Sequence, residues 1–228
     1  MISAFFNFTI MKRMFKFKNF FWSILSLFIT GIGIAFSTRP GLGTSPIASP
    51  SYALTFVLPL TFGMCTVLVN IFMILGQMAI LRKDFNYFQF SQLISASLLG
   101  IFIDIGIWIS NFFVMGNYFS LLSWQVFGCI ILAIGISIEL AANLFYLPGE
   151  GIVKAIMQKW QLNFSQAKII FDCFMVATAI LITWIFTGKI QGVREGTIIA
   201  AICVGLFIKI LDKPLSPLKN YIGKKGIL

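Results

Sequence analysis

Apolar residues run almost unbroken through six stretches of this chain, 20–38, 61–81, 90–112, 124–145, 164–187 and 196–211, with polar residues gathered between them. A transmembrane helix needs about 20 apolar residues to cross ~30 Å of hydrocarbon, and each stretch approaches that length. The pattern predicts an all-α membrane protein of about six transmembrane helices. A less regular stretch follows the first span, TRPGLGTSPIASPSYALTFVLPL, and another follows the fourth, NLFYLPGEGIVKAIMQKWQL. Each is apolar but interrupted by Pro and Gly, and its helix-forming part of ~12 residues reaches only ~18 Å. Neither can cross. Each is predicted to be a short helix, either re-entrant and buried in protein or beside a watery cavity, or interfacial and lying on the bilayer surface. Ser45 and Pro46 suit the N-cap and first helical position of the first, and Pro148 to Gly151 can bend the chain before the second begins.

The two irregular stretches belong to a longer internal repeat. An offset of 102 residues takes Gly33 to Gly135, Pro46 to Pro148, Leu60 to Leu162, Phe62 to Phe164, Asn70 to Asp172, Phe72 to Phe174 and Met73 to Met175. After one three-residue shift the match resumes, taking Ala96 to Ala201, Gly100 to Gly205, Phe102 to Phe207 and Ile103 to Ile208. Repeats of this length imply two similar halves. With three spans in each, the halves are predicted to be inverted repeats, an architecture common among secondary transporters. The predicted organisation is a basic cytoplasmic N-terminus (1–19), a first membrane repeat (20–112), an external linker (113–123), a second repeat (124–211) and a basic cytoplasmic C-terminus (212–228). Ala96 and Gly100, and their counterparts Ala201 and Gly205, have the small-xxx-small spacing that lets helices approach closely in lipid. Spans three and six are therefore expected to pack tightly, on each other or on neighbours.

Composition agrees: 59% hydrophobic residues, 11% charged and a mean hydropathy of +0.96 leave no hydrophilic block for a separate soluble domain. The net charge of +10 has an orienting rather than a nucleic-acid-binding reading. With a cytoplasmic N-terminus, 14 of the 17 basic residues fall at or near the cytoplasmic side. They are Lys12, Arg13, Lys16, Lys18, Arg82, Lys83, Lys154, Lys159, Lys168, Lys209, Lys213, Lys219, Lys224 and Lys225; only Arg39, Lys189 and Arg194 fall outside. This is the positive-inside bias. The first apolar stretch, counterpart of a later span and without a small-residue cleavage site, is expected to be a span rather than a signal peptide.

Ionisable residues inside spans are costly and face bundle interiors or pathways. Asp172 and its counterpart Asn70 both approach the midplane, as a helix-packing contact or as part of a site. Asp104 has Arg39 as a candidate ion-pair partner, and Glu139 has Lys168 or Lys209. Glu150 stands in Pro148-Gly149-Glu150-Gly151, where a carboxylate either caps its own helix amides or binds a cation or proton. Arg194 and Glu195 open the sixth span as a helix start or as a binding pair. Enzyme chemistry has little to work with: the chain has no His, so neither a His-based triad nor His-ligated zinc can be built. No P-loop pattern is present, and Cys65, Cys129, Cys173 and Cys203 lack metal or disulfide spacing and are expected to pack in the core. No metal or other cofactor is expected, and the protein is read as a non-enzyme.

The stretches LPGEGIVKAIMQKWQLNFSQAKIIFDCFMV and GVREGTIIAAICVGLFIK, with GLGTSPIASPSYAL before them, resemble the YczE/YyaS/YitT family of bacterial integral membrane proteins. The resemblance runs from about residue 20 to 211 and rests on Pro148, Gly149, Glu150, Gly151, Lys168, Asp172, Arg194, Glu195, Gly196 and Thr197. It implies a multi-pass protein of a bacterial plasma membrane and supplies no substrate. The architecture points by analogy to a small-solute secondary transporter or exporter working at the repeat interface. Glu150, Asp172, Asn70, Ser45, Gly149 and Gly151 are its candidate pathway residues. An accessory or regulatory membrane protein, or a channel-like or lipid-handling one, are the alternatives. The expected partners are the lipid bilayer and an unidentified small solute, with a homo-oligomer compatible and nucleic acid not.

Overall fold

The computed structural model describes residues 17–142 and 147–217, and every regular element among them is helical. In chain order they are α1 (Phe17–Thr38), α2 (Ser49–Leu54, entered through the 3₁₀ turn Pro46–Ala48), α3 (Phe62–Leu81) and α4 (Gln92–Ser110). They continue with α5 (Tyr118–Ala142), α6 (Pro148–Trp160), α7 (Phe164–Thr187) and α8 (Glu195–Asp212). Lys12, Arg13, Lys16, Lys219, Lys224 and Lys225, expected to mark cytoplasmic ends, lie outside the described residues, as do the side chain of Lys18 and the predicted end of the fourth span.

Among the described residues, five segments are long and apolar enough to cross a membrane: Asn19–Thr38, Phe62–Asp84, Tyr87–Ser110, Tyr118–Ala142 and Phe164–Thr187. The protein is therefore an integral membrane protein of helical class. The expected sixth span, α8, has 18 residues, about 27 Å at 1.5 Å per residue. Glu195 at its start and Lys209 and Asp212 at its end confine the uncharged part to 196–208, so α8 does not meet the same requirement on its own.

Local chemistry sets the helix ends. The Thr61 hydroxyl accepts from the Met64 N–H at 3.1 Å and donates to Asp104 Oδ2 at 2.6 Å, while Asp104 Oδ1 accepts from the Gly63 N–H at 2.8 Å. A carboxylate on α4 thus satisfies the start of α3 and complements its dipole. At α7 the Asn163 side chain and Gln166 form a reciprocal capping box, and Gly188 closes the helix in the left-handed conformation, at φ +68°.

The core is the antiparallel pair α1 and α5, brought together by glycines. A Cβ at Gly33 would lie 2.4 Å from the Leu132 nitrogen, one at Gly135 2.6 Å from the Thr30 nitrogen, and one at Gly128 2.2 Å from the Ser37 nitrogen. These backbones touch, which is how small residues hold helices together where lipid removes the hydrophobic drive. Around this pair α4 packs on α1 and α8 on α5; α3 packs on α4 and α6, and α2 on α3 and α7.

Three expectations change here. Spans three and six are not packed along each other: Gly100 of α4 meets Gly63 of α3, whereas Ala201 and Gly205 are exposed, with nothing within 4 Å of a Cβ at Gly205. They point outward with Ile198, Ile202 and Leu206 because α8 uses its other face against α5. Of the cysteines, Cys65 and Cys129 are buried, but Cys173 is exposed and Cys203 only partly covered. Finally, Pro148 to Gly151 does not precede the second short helix; it forms that helix's first turn.

Candidate functional site

The first turn of α6 is set into the first half of the molecule. Leu147 is extended, Pro148 takes the first helical position with its pre-set φ, and the N–H groups of Glu150 and Gly151 both donate to the Leu147 carbonyl, at 3.0 and 3.1 Å. The Pro148 carbonyl accepts from Gln77 Nε2 of α3 at 3.0 Å, and the same Gln77 amide donates to Gln92 Oε1 of α4 at 3.0 Å. Gln92 Nε2 returns a bond to Gln77 Oε1 at 3.3 Å. Both glutamines are buried. Gly151 is needed for this approach, since a Cβ there would sit 2.7 Å from Gln77 Oε1 and 2.8 Å from Gln92 Nε2. Gly149 faces the other short helix, its Cβ position lying 3.3 Å from Ile47 Cγ2.

Beside this turn lies a graded row of charges, from exposed Lys154 through partly covered Glu150 to Glu139, which is only 3% exposed. Burial pushes the Glu150 carboxyl above its usual range, with Lys154 and then Lys168 drawing it back. Burial also lowers Lys154, against the opposing pull of Glu150 and Glu139. Neither oxygen of Glu139 makes a well-formed hydrogen bond among the described residues; the Leu147 amide, Glu150 and Lys154 are the polar groups around it. The α1–α5 register explains its depth. Residue 30 opposes 135, 33 opposes 132 and 37 opposes 128, so one more turn places Glu139 against Ser26, in a seam that also holds Ser23 and Thr30. The hydroxyls of Ser23, Thr30 and Ser137 are buried without a partner among the described residues.

The other predicted residues distribute differently. Asp172 pairs with Lys168 of its own helix, in a partly exposed i,i+4 ion pair. Asn70 is buried and donates to the Thr66 carbonyl at 2.9 Å. Their neighbours Val69, Met73, Phe171 and Met175 share one apolar cluster with Ile152 and Val153 of α6, but no hydrogen bond joins Asn70 to Asp172 among the described residues. Ser45 holds the N-cap position with no side-chain capping bond; its carbonyl accepts from the Ser49 hydroxyl at 3.1 Å.

Asp104 does not pair with Arg39. Its oxygens are taken by Thr61 and Gly63, while the Arg39 charge acts on Tyr52 of α2, opposing the upward push of burial on that phenol. Glu139 makes no ion pair with Lys168, which Asp172 holds, or with Lys209, which is exposed on α8. Arg194 and Glu195 do pair, at 3.0 Å, and Arg194 also reaches the Gly41 carbonyl at 3.4 Å. The Gly196 N–H donates to the Leu42 carbonyl at 2.8 Å, and Gln125 Nε2 reaches the Gly196 carbonyl at 3.3 Å. Gln77, Gln92, Gln125 and the seam hydroxyls carry much of this geometry and are not among the residues singled out from sequence, where Lys154 counted only toward the charge bias. Glutamines inside apolar runs, and the spacing of Ser23, Ser26, Thr30, Gly33 and Ser37 along one face of α1, were the available signals.

Residues 17–213 match the model of a family of unknown function, DUF6198. The chain belongs to that family. No curated protein and no solved structure matches it. For this DUF6198 protein, then, function has to be built from the arrangement of its own residues.

Proposed function

We propose that this DUF6198 protein is a small-solute secondary transporter or exporter, built from two inverted repeats of three spans with α8 as the sixth, and working where the two short helices meet. The observation that carries the reading is the contact between Ile47 and Gly149, positions 102 residues apart and so equivalent in the repeat. Two groups related by a pseudo-two-fold touch one another only near its axis. The same offset exchanges Gly33 with Gly135 and Thr30 with Leu132, so the contacts Gly33 to Leu132 and Gly135 to Thr30 are each other's counterparts. It also exchanges α2 with α6 and α3 with α7. Accordingly, α2 packs on α7 and α6 on α3, each short helix lying against the long helix of the opposite half.

In this reading the solute sits beside the starts of the short helices, near the midplane. Glu150 and Gly149 come from one half, Ser45 and Ile47 from the other, with Asn70 and Asp172 on the long helices flanking them. Short helices that begin at the middle of the bilayer present backbone polarity to a solute without a lipid-exposed break. Alternating access consists of rocking one repeat against the other about α1 and α5. Both termini are placed in the cytoplasm on the charge bias of the sequence, and the resemblance to the YczE/YyaS/YitT family, with its bacterial plasma membrane, belongs to the same proposal.

A thermal-shift screen of the purified protein against small metabolites and ions tests the reading, because a ligand of the folded state raises its apparent stability. The expected result is a solute that raises the melting temperature of wild type and not of Glu150→Gln. A chain that responds to no solute, and whose cellular phenotype survives Glu150→Gln but not changes to an exposed helix face, would be an accessory protein instead.

A further inference from the structure

Two carboxyl groups and one ammonium act on one another around the start of α6, and the balance of charge there is incomplete. Glu139 lies on α5, only 3% exposed and, among the described residues, without a well-formed hydrogen bond to either oxygen. Glu150 and Lys154 lie on α6 and act on it directly. From α7, the Lys168 charge acts on Glu150, but its ion pair is with Asp172. The seam face of α1 contributes neutral Ser23, Ser26 and Thr30, and Lys209 of α8 is exposed. Lys154 can therefore balance one of the two glutamates. A second ionised carboxylate at the depth of Glu139 would be a buried charge without a counter-charge of its own, a state that proteins avoid by neutralising the group.

We propose that Glu139 and Glu150 together hold one exchangeable proton, reached from the exposed Lys154 side, and that this proton drives the solute movement proposed above. The coupling part rests on the transporter reading; the proton site itself does not. The five charged positions of this region, Glu139, Glu150, Lys154, Lys168 and Asp172, have as repeat counterparts Ser37, Ala48, Tyr52, Thr66 and Asn70, all neutral. The titratable group is therefore on one half only. A pseudo-symmetric scaffold with charge at one end gives a driving proton a defined side of entry. The hydroxyls of Ser23 and Thr30, without a partner among the described residues, lie on the α1 face that packs against the Glu139 face of α5.

Infrared difference spectroscopy of the full chain in lipid nanodiscs reads this directly. A protonated carboxylic acid out of contact with water has a carbonyl stretch separate from carboxylate and amide bands, and the stretch shifts on deuteration. At neutral pH the wild type should show it, Glu139→Gln should lose it, and Asp172→Asn should keep it. In Glu150→Gln, Lys154 is left to balance Glu139 alone, so the band should be lost there as well. A wild type without the band overturns the proposal, and a band that persists in Glu150→Gln overturns the sharing of the proton. A melting temperature raised by sodium or potassium over choline at constant pH, with no such band, would assign the site to an alkali cation and overturn the proton. The solute-induced thermal shift reads the transporter proposal separately, so a failure of one is distinguishable from a failure of the other.

Discussion

Replacing Gly33 by Ala tests the contact on which the whole packing of α1 against α5 rests. The added Cβ would stand 2.4 Å from the Leu132 nitrogen and 2.6 Å from its Cα. Ordinary contact begins near 3.4 Å, so the two helices must separate by roughly 1 Å at this level, and the obstacle is backbone that has no rotamer to change. A gap of that size forfeits about a quarter to a half of the dispersion well for each atom pair across it, and overpacking of this kind costs about 1–3 kcal/mol. Ala improves helix propensity over Gly by at most ~1 kcal/mol, which offsets only part of that. The expected net loss of ~1 kcal/mol corresponds to a melting temperature lowered by about 2–4 °C for a chain of this size. Thermal unfolding in one detergent, followed by cysteine-reactive dye, measures it. Gly205→Ala is the matched control: nothing lies within 4 Å of its Cβ position, so it should melt at or slightly above wild type. Equal melting of Gly33→Ala and Gly205→Ala would refute the close backbone contact.

Four further outcomes are expected. Asp104→Asn should cost about 1–2 kcal/mol, because a carboxylate at the start of α3 is stronger than an amide there, and the melting temperature should show it; Arg39→Gln should leave the Asp104 contribution intact. Asp172→Asn should cost only about 0.5 kcal/mol, since its partner is a partly exposed i,i+4 lysine, and a large loss of melting temperature would mean a deeper role than that pair. Glu150, raised above its ordinary 4.5 in the fold, binds its proton more tightly folded than unfolded, so wild-type stability should fall as pH rises from about 4.5 through the raised value. Glu150→Gln cannot titrate and should lack that decline in melting scans across the same range. Reporter fusions after Lys83 and after Lys159 should read cytoplasmic and one after Gly116 exterior; an exterior signal at Lys83 would contradict the proposed topology.

The sequence made the helices legible because length and apolarity alone decide what can span, and α3, α4 and α7 fall within two residues of where the apolar runs end. The short helices were legible for the complementary reason, since Pro46 and Pro148 start helices too brief to cross. Charge partners on different helices were not legible, although the neighbouring Arg194 and Glu195 were. Asp104 looked free to meet Arg39 until the fold placed it over the first turn of α3, and Glu139 looked within reach of lysines that lie elsewhere. Both depend on which face of one helix meets which face of another, a register set by contacts such as Thr30 with Gly135 between residues far apart in the chain. The same holds for Gln77 and Gln92, separated by 15 positions, whose mutual bonds and the bond from Gln77 to the Pro148 carbonyl appear only once three helices are assembled. Small-residue spacing misled at Ala201 and Gly205 because it marks what could approach closely, and α8 turns that face outward.

The most direct test of a working centre between two halves is accessibility at their meeting point. In a background with all four cysteines replaced by alanine, Ile47→Cys, opposite Gly149, is labelled in oriented membrane vesicles with a membrane-impermeant maleimide applied to one side or the other. A transporter should be labelled from each side in separate experiments, with a solute identified by thermal shift changing the ratio of the two. Labelling confined to one side, or absent from both, under every condition would contradict alternating access about the short helices.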